Sequence, residues 1–411
     1  MDLATVHQLA SPQGWSLLAA LPPYDENHAT ALNTELRNAG YPADLIAAAL
    51  TQSRLRAKAA DKFGEFADGM LFTPDALEQA TRLEIAAHHA HRYVRANIHH
   101  IHDLGCGIGS DAMTFASLGI AVTAIDADPA TAALAALNLR HFPHAEAHTG
   151  LAEDTPLPTD TTHTGIWLDP ARRDTTHSTS SGKATRLHNL DTISPPWSFV
   201  ESVAAQIPAT GAKLSPAFPR NRIPAGTQAE WTSLHGDVLE CAIWWGPLAE
   251  QPGRTATILG NHPPIHVHQN DTPTTHSYAT TLPSEGTHLY EPDKAIIAAD
   301  LTGALTTAVD GTELAPHVGY VASPNRTELP WATRYTVIAA MKPNPKHVRA
   351  WLRKRGSGRL TLKRRGGRIT PETFRRELKL DGHGPETIGI LTSVADSPAF
   401  LIVERDCTTT Q

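Results

Sequence analysis

The chain has 411 residues, of which 41% are hydrophobic and 19% charged, and its formal net charge is −7. That is too long for one ordinary core, so two or three domains are expected, and no apolar run approaches the ~20 residues that span a bilayer. Cys106, Cys241 and Cys407 are too scattered for a disulfide framework or a metal knuckle, and no basic-then-apolar leader opens the chain, so a cytoplasmic protein without a membrane partner is expected.

The chain begins with helices. Residues 1 to about 98 have helical periodicity, punctuated at Pro22-Pro23 and Tyr41-Pro42, and residues 55–63 read as a helix stopped by Gly64. Thr73-Pro74-Asp75 has the make-up of a helix start: a capping hydroxyl, a proline at the first position and an acid at the positive end. Ala76, Ala80, Leu83, Ala87, Ala90 and Val94 follow at three- and four-residue spacing, which predicts one helix with that face buried.

From residue 100 the pattern becomes α/β. Strands are predicted at residues 101–104, 121–126, 146–151 and 164–169, with helices at 111–118 and 130–139 between them. Such alternation requires parallel strands joined by crossover helices. Residues 172–196 are rich in Ser, Thr and His and read as a mobile loop. A helix at 199–207, a strand at Ala212-Lys213-Leu214 and a hairpin about His235-Gly236-Asp237 come next. The Pro/Thr/His-rich residues 260–286 are the expected linker.

The last part reads as an α+β module: helices at 345–355 and behind Thr370, a strand at 359–363, and two strands around Asp396. Between Lys342 and Lys379 there are 14 Lys and Arg against Glu372 and Glu377. The resulting +12 leaves −19 on the remainder, an asymmetry that points to a polyanionic partner for this segment. No metal site is expected, because the histidine pairs His88-His89 and His99-His100 are joined by no cysteine or acid that would complete one.

Asp103-Leu104-Gly105-Cys106-Gly107-Ile108-Gly109-Ser110 joins the first strand to its helix. Alternate glycines let the backbone bend sharply and let a ligand approach the main chain, while amides at the helix start face a polar group on it. A dinucleotide fold wants G-x-G-x-x-G, but position 110 is Ser. Asp103, at a strand end, suits a cationic ligand better than a pyrophosphate. Asp126 follows Gly105 by 21 residues, at the end of the next strand, where ribose hydroxyls sit. An acid beside the turn, a ribose acid and no phosphate cradle describe S-adenosyl-L-methionine, whose ammonium and sulfonium are both positive, and count against a nicotinamide cofactor.

These residues resemble the class I methyltransferase family over about residues 95–250. The resemblance implies that Gly105, Gly107 and Gly109 line the cofactor, that Asp103 lies near its methionine part and that Asp126 holds the ribose diol. Glu153 or Asp154 would meet the adenine amine, and the spacing leaves both open. Asp169-Pro170-Ala171-Arg172-Arg173 follows the fourth strand, where similar amino-methyltransferases carry Asp/Asn-Pro-Pro-aromatic. An exocyclic amine conjugated to a base is a poor nucleophile. The Asp169 carboxylate and the Pro170 carbonyl, accepting its N–H bonds, would orient its lone pair and stabilise positive charge growing on nitrogen. Ala171 and Arg172 replace the second proline and the aromatic. Base stacking or phosphate contact then falls to Arg172 and Arg173, with Trp197, in the same predicted loop, as a further stacking candidate.

A closer resemblance covers nearly the whole chain. Lys62-Phe63-Gly64, Leu71-Phe72-Thr73-Pro74, Leu77-Glu78-Gln79-Ala80-Thr81-Arg82, the glycine turn, Asp169-Pro170-Ala171-Arg172-Arg173 and Tyr290-Glu291-Pro292-Asp293 are similar to bacterial methyltransferases with a C-terminal THUMP-like domain. The family's strand followed by Lys/Arg-Arg-Gly is matched by Leu362-Lys363-Arg364-Arg365-Gly366. THUMP domains are associated with RNA-modifying enzymes, so the resemblance implies RNA as partner and Lys363, Arg364 and Arg365 as contacts to it. Phe72-Thr73-Pro74 also resembles a segment of cap guanine-N2 methyltransferases that lies over the cofactor, which implies that Phe72 and Thr73 touch it.

The expected architecture is therefore α/β: a Rossmann-like, seven-stranded methyltransferase sheet at residues 96–260, an N-terminal helical region at 1–95 and a THUMP-like α+β basic domain at 285–411. The expected activity is methylation of an exocyclic amino group of a base in structured RNA (tRNA or rRNA). The alternative is a non-catalytic RNA-binding protein that retains the fold.

Overall fold

A computed structural model describes residues 1–172, 190, 193–273, 277–367, 369–395 and 397–406, with Arg172 described by its backbone alone. The chain divides into two compact units, Met1–Gln228 with Ala242–Pro252, and Ala229–Cys241 with Gly253–Gln411. Among the described residues no helix is long and apolar enough to cross a membrane.

The first unit opens with α1 (Leu3–Ala10), α2 (Pro12–Ala20), α3 (Ala29–Asn38) and α4 (Ala43–Phe63). Asp2 and Ser11 cap the first two through the amides of Thr5 and Gly14. Helix α4 buries Leu45, Ala49, Leu55, Ala59 and Phe63 along one stripe and stops where Gly64 adopts φ 54°. The single helix predicted beyond Thr73 is two helices, α5 (Pro74–Gln79) and α6 (Leu83–Arg95). Its break has a cause far away in sequence. Lys62 Nζ donates to the carbonyls of Leu77 and Glu78 at 2.7 Å and of Ala80 at 3.0 Å, closing the end of α5 in place of a further turn. The buried face of α6 is Ile85, Ala86, His89, Ala90 and Tyr93, whereas Val94, expected inside, is 44% exposed.

Strands β1 (His100–Leu104), β2 (Ala121–Asp126), β3 (Ala145–Thr149) and β4 (Thr164–Leu168) alternate with α7 (Ser110–Ser117) and α8 (Pro129–Leu139) as predicted. The short β5 (Ala171–Arg172) and β6 (Ile193–Ser194) pair antiparallel. Helix α9 (Trp197–Gln206) and β7 (Thr210–Leu214) follow, then β8 (Gln228–Leu234) and β9 (Asp237–Trp244) around a two-residue turn in which His235 and Gly236 both have positive φ. The strand order in the first unit is β9-β7-β4-β1-β2-β3. Parallel register pairs Leu104 with Ile125 and with Leu168, Asp126 with Thr149, and Leu168 with Ala212. These pairings bring every carboxyl end to one edge, the side on which open α/β sheets bind ligands. Every residue of β4 is buried, as a central parallel strand requires. Trp167 from β4 packs against Trp244, Phe115 and Tyr93, and the Tyr93 hydroxyl donates to the Ile166 carbonyl at 2.6 Å.

In the second unit, β10 (Gly253–Gly260) and β11 (His262–His268) form an antiparallel hairpin within the order β11-β10-β8-β9. These two strands bring the row to nine where the sequence predicts seven. They also fill the first part of the expected linker. Pro263-Pro264 fit there because β11 is an edge strand and its register on β10 shifts at the prolines, between the pairs Ile258–Ile265 and Gly260–His262. Beyond it lie β12 (His288–Pro292), α10 (Lys294–Ala298), α11 (Thr302–Val309), β13 (Thr312–Glu313), β14 (Val321–Ser323) and β15 (Ala332–Met341). The chain closes with α12 (Pro345–Lys354), β16 (Arg359–Arg364), α13 (Pro371–Leu378), β17 (Glu386–Val394) and β18 (Ser397–Arg405). The seven strands run β13-β14-β12-β15-β18-β17-β16, with β16 parallel to β17. Val348 and Leu352 of α12 and Phe374 and Leu378 of α13 form a core with Leu360, Leu391, Phe400 and Ile402.

Candidate active site

The carboxyl edge of the parallel sheet carries a cavity of about 960 Å³. Gly105 and Gly107, at φ 93° and 56°, form part of its wall with Thr73, Asp126 and Glu153, and Asp169, Pro170 and Lys213 stand in the same lining. Gly109 lies behind, as the left-handed cap of α7 packed on Ala135. Of the two acids left open for an adenine contact, Glu153 borders the cavity and Asp154 does not. Thr73 reaches it because its segment is fastened from both sides. Gln52 exchanges two hydrogen bonds with the main chain of Phe72, and Asn138 of α8 bonds the main chain of both Leu71 and Ile108. Phe72 itself is fully buried against Phe63 and is not part of the lining.

Charge separates the possible ligands. Asp75, Asp126, Asp128, Glu153 and Asp169 line the cavity, and Lys213 is its one cationic side chain among the described residues. A cationic ligand fits such a wall and a pyrophosphate does not. Asp126 is held in place by the amides of Gly107 at 3.0 Å and Asp128 at 2.9 Å, and burial raises its carboxyl above the usual range. Asp103 is 1% exposed, and neither carboxyl oxygen has a hydrogen-bond partner among the described residues. Burial pushes it well up, and the neighbouring Asp111 and Asp169 push it further. It is not part of the cavity lining. S-adenosylmethionine fits this donor set, with Gly105, Gly107, Asp126 and Glu153 as the residues that would hold it.

Just beyond β4, Asp169 Oδ2 lies 2.5 Å from Lys213 Nζ. Lys213 also donates to Thr81 Oγ1 at 2.9 Å. Thr81 donates to Asp111 Oδ2 at 2.6 Å, and Asp111 Oδ1 is bonded to His89 Nδ1 at 2.8 Å. Burial alone would raise Asp111, but His89, Lys213 and Thr81 outweigh it and hold the carboxyl below its usual range. Sequence reasoning missed Lys213, Thr81, Asp111 and His89 as site residues. The available signal was a lysine at the end of an otherwise apolar parallel strand.

A THUMP domain-like family model matches residues 332–405, and a domain of unknown function, DUF8688, matches residues 2–59. Two proteins of Mycobacterium tuberculosis, from strains CDC 1551 / Oshkosh and ATCC 25618 / H37Rv, are described as uncharacterized S-adenosylmethionine-dependent methyltransferases. Each is 26% identical over 346 residues, 82% of this chain and 90% of the relative. The crystal structure of a protein of Porphyromonas gingivalis W83, assigned as a methyltransferase, matches with a TM-score of 0.72 at 18% identity, over 94% of this chain and 100% of that one. The chain is a homologue of S-adenosylmethionine-dependent methyltransferases. It carries a THUMP-like domain at its C-terminus.

The remaining predicted residues are scattered. Arg172 contributes backbone to β5, and Arg173 lies outside the described residues, as does nearly all of the predicted 172–196 loop. Trp197 is no loop residue open to a base: it begins α9 at 2% exposure and packs on Phe218 and Trp245. Cys106 borders the cavity, but burial pushes its thiol well up, which leaves it no nucleophile. In the second unit, Glu291 gathers Lys363 and Arg365 together with the hydroxyls of Tyr335 at 2.9 Å and Tyr320 at 3.1 Å. Two of the three predicted RNA contacts are thus engaged with a half-buried carboxylate of the Tyr290-Glu291-Pro292-Asp293 motif, while Arg364 is exposed. Among the described residues, ten cations of the +12 segment are exposed: Lys342, Lys346, Arg353, Lys354, Arg355, Arg359, Arg364, Arg375, Arg376 and Lys379.

Proposed function

We propose that this chain transfers a methyl group from S-adenosylmethionine to an exocyclic amino group of a base in structured RNA. The observation that carries the reading is the acid-lined cavity that runs from the glycine turn to Asp169 and Pro170. When bound, the cofactor supplies an electrophilic methyl group on a sulfonium: its C–S bond breaks as the N–C bond forms, and the amine proton leaves to water. The protein's part is orientation and charge. Asp169 and the Pro170 carbonyl accept the amine's N–H bonds, aim its lone pair into the cavity and stabilise the charge that grows on nitrogen. Asp126 holds the ribose hydroxyls and Glu153 the adenine amine. The ten exposed cations and the THUMP-like match support RNA as the acceptor molecule, held chiefly through phosphates. On this reading residues 1–95 and 96–260 serve the donor and 285–411 meets the RNA.

Two observations favour a non-catalytic reading: Asp169 is already paired with Lys213, and Trp197 cannot supply the missing aromatic. A single assay separates the two. Total RNA from cells lacking the gene is incubated with the protein and methyl-labelled S-adenosylmethionine, then digested to nucleosides. Label in an N-methylated base supports the enzyme. Calorimetric binding of the cofactor with no transfer to any RNA fraction overturns it.

A further inference from the structure

We infer that Lys213 is a positioning residue for the acceptor carboxylate of Asp169, held in turn by Thr81, Asp111 and His89; the inference rests on the methyl-transfer reading above. The sheet makes the pair. Leu168 of β4 and Ala212 of β7 are register partners in parallel, so Asp169, the first residue beyond β4, comes beside Lys213, the next residue of β7, at the carboxyl edge of the sheet. Their charged atoms meet at 2.5 Å.

The support behind Lys213 is a built chain rather than a surface ion pair. Thr81 and Asp111 are 6% and 4% exposed, and His89 is fully buried, its ring 4.5 Å from that of Trp167 and 5.8 Å from that of Trp244. Buried polar groups in such a sequence satisfy one another in one arrangement only, which fixes the ammonium and, through it, the carboxylate. Thr81 sits in the break between α5 and α6, so the segment shaped by Lys62 also places this link.

The charge around the pair explains why a lysine is needed there. Asp103 from β1 and Asp111 from α7 face it, and Lys62 from α4 is the other neighbouring cation. A carboxylate among other carboxylates tends to take up a proton, and a protonated Asp169 loses capacity to accept an amine N–H. An adjacent ammonium favours the charged form. Lys213 thus sets both the direction and the ionisation of the group that orients the acceptor.

The test compares Lys213→Met and Lys213→Arg in the full chain, with total RNA from cells lacking the gene as acceptor. Lys213→Met should bind S-adenosylmethionine within about twofold of wild type by calorimetry, yet lose roughly 100-fold in kcat with KM little changed, the scale on which a misplaced reacting group acts. Lys213→Arg should restore at least a tenth of the lost rate. Unchanged kcat, or a parallel loss of kcat, KM and melting temperature that arginine does not rescue, overturns the inference. A second readout needs no turnover: the carboxyl carbon of Asp169, followed by 13C NMR, should titrate at higher pH in Lys213→Met than in the wild type, the direction in which losing an adjacent ammonium moves a carboxyl. If the wild type methylates no RNA, the methyl-transfer reading fails. The NMR titration then decides alone, and an unmoved Asp169 signal overturns the role of Lys213.

Discussion

The main-chain carbonyl of Asp169 lies against Gly105: a Cβ at Gly105 would stand 3.1 Å from that oxygen. The glycine turn after β1 and the Asp169-Pro170 motif after β4 are therefore in backbone contact. Gly105 is also at φ 93°, where a side chain is strained. Gly105→Ala should destabilise the protein by about 1 kcal/mol or more and displace Asp169 as well. Calorimetry and the RNA methylation assay should both fall, transfer more than cofactor affinity. Unimpaired transfer would show that the two motifs act independently.

Glu291 sets a pH prediction. Burial would raise its carboxyl, but Lys363, Arg365 and Tyr335 outweigh burial and hold it below the ordinary value of 4.5. An acid depressed by folding stabilises the fold above its unfolded pKa, and the contribution disappears as pH falls through the folded value. On the other side, burial lowers Lys363 but its bonds to Glu291 and Tyr335 raise it above 10.5, so the pair persists across the neutral range. Glu291→Gln should cost about 1–2 kcal/mol at neutral pH, since the pair is only partly buried and solvent screens it. In denaturant titrations the gap between variant and wild type should close as pH is taken below 4.5. A gap that stays constant would remove the carboxylate's charge from the account.

Trp197 and Arg364 give opposite expectations. Trp197→Ala empties a buried site and should lower stability by roughly 3–5 kcal/mol, with RNA affinity unchanged at temperatures where the variant is folded. Arg364 is exposed, and Arg364→Ala should leave the melting temperature alone. If it meets a phosphate, the slope of log K against log salt should fall by about 1. A loss of RNA affinity in folded Trp197→Ala would restore a stacking role for that ring.

Lys62 tests the helix break. Lys62→Met leaves the carbonyls of Leu77, Glu78 and Ala80 without their cation, and should cost about 1–3 kcal/mol. Amide hydrogen exchange should speed up at residues 77–82 before it does in α6. Uniform exchange across both helices would mean that Lys62 does not hold that end.

Local chemistry was legible in the sequence and distant partnership was not. Alternating strands and helices, the helix start at Pro74 and the glycine turn all depend on residues close in the chain, and these elements appear where predicted. The break after Gln79 depends on a lysine 18 residues before Ala80, which periodicity cannot register. Pro263-Pro264 breaks a central strand but not an edge, and edge position is a property of the whole sheet. Trp197 was misread for the same reason, since its neighbours Phe218 and Trp245 come from other segments. Lys213 acquires meaning only through the β4–β7 register.

Strand β9 has a consequence for how this protein can be taken apart. Its first residues, to Cys241, belong to the second unit, and Ala242–Trp244 belong to the first. The backbone therefore passes between the units three times, and no single cut releases either one whole. A fragment ending at Gln228 would leave Trp167 without Trp244, the ring stacked on it at 5.4 Å. An exchange of either unit for another must therefore replace two separate stretches of chain at once.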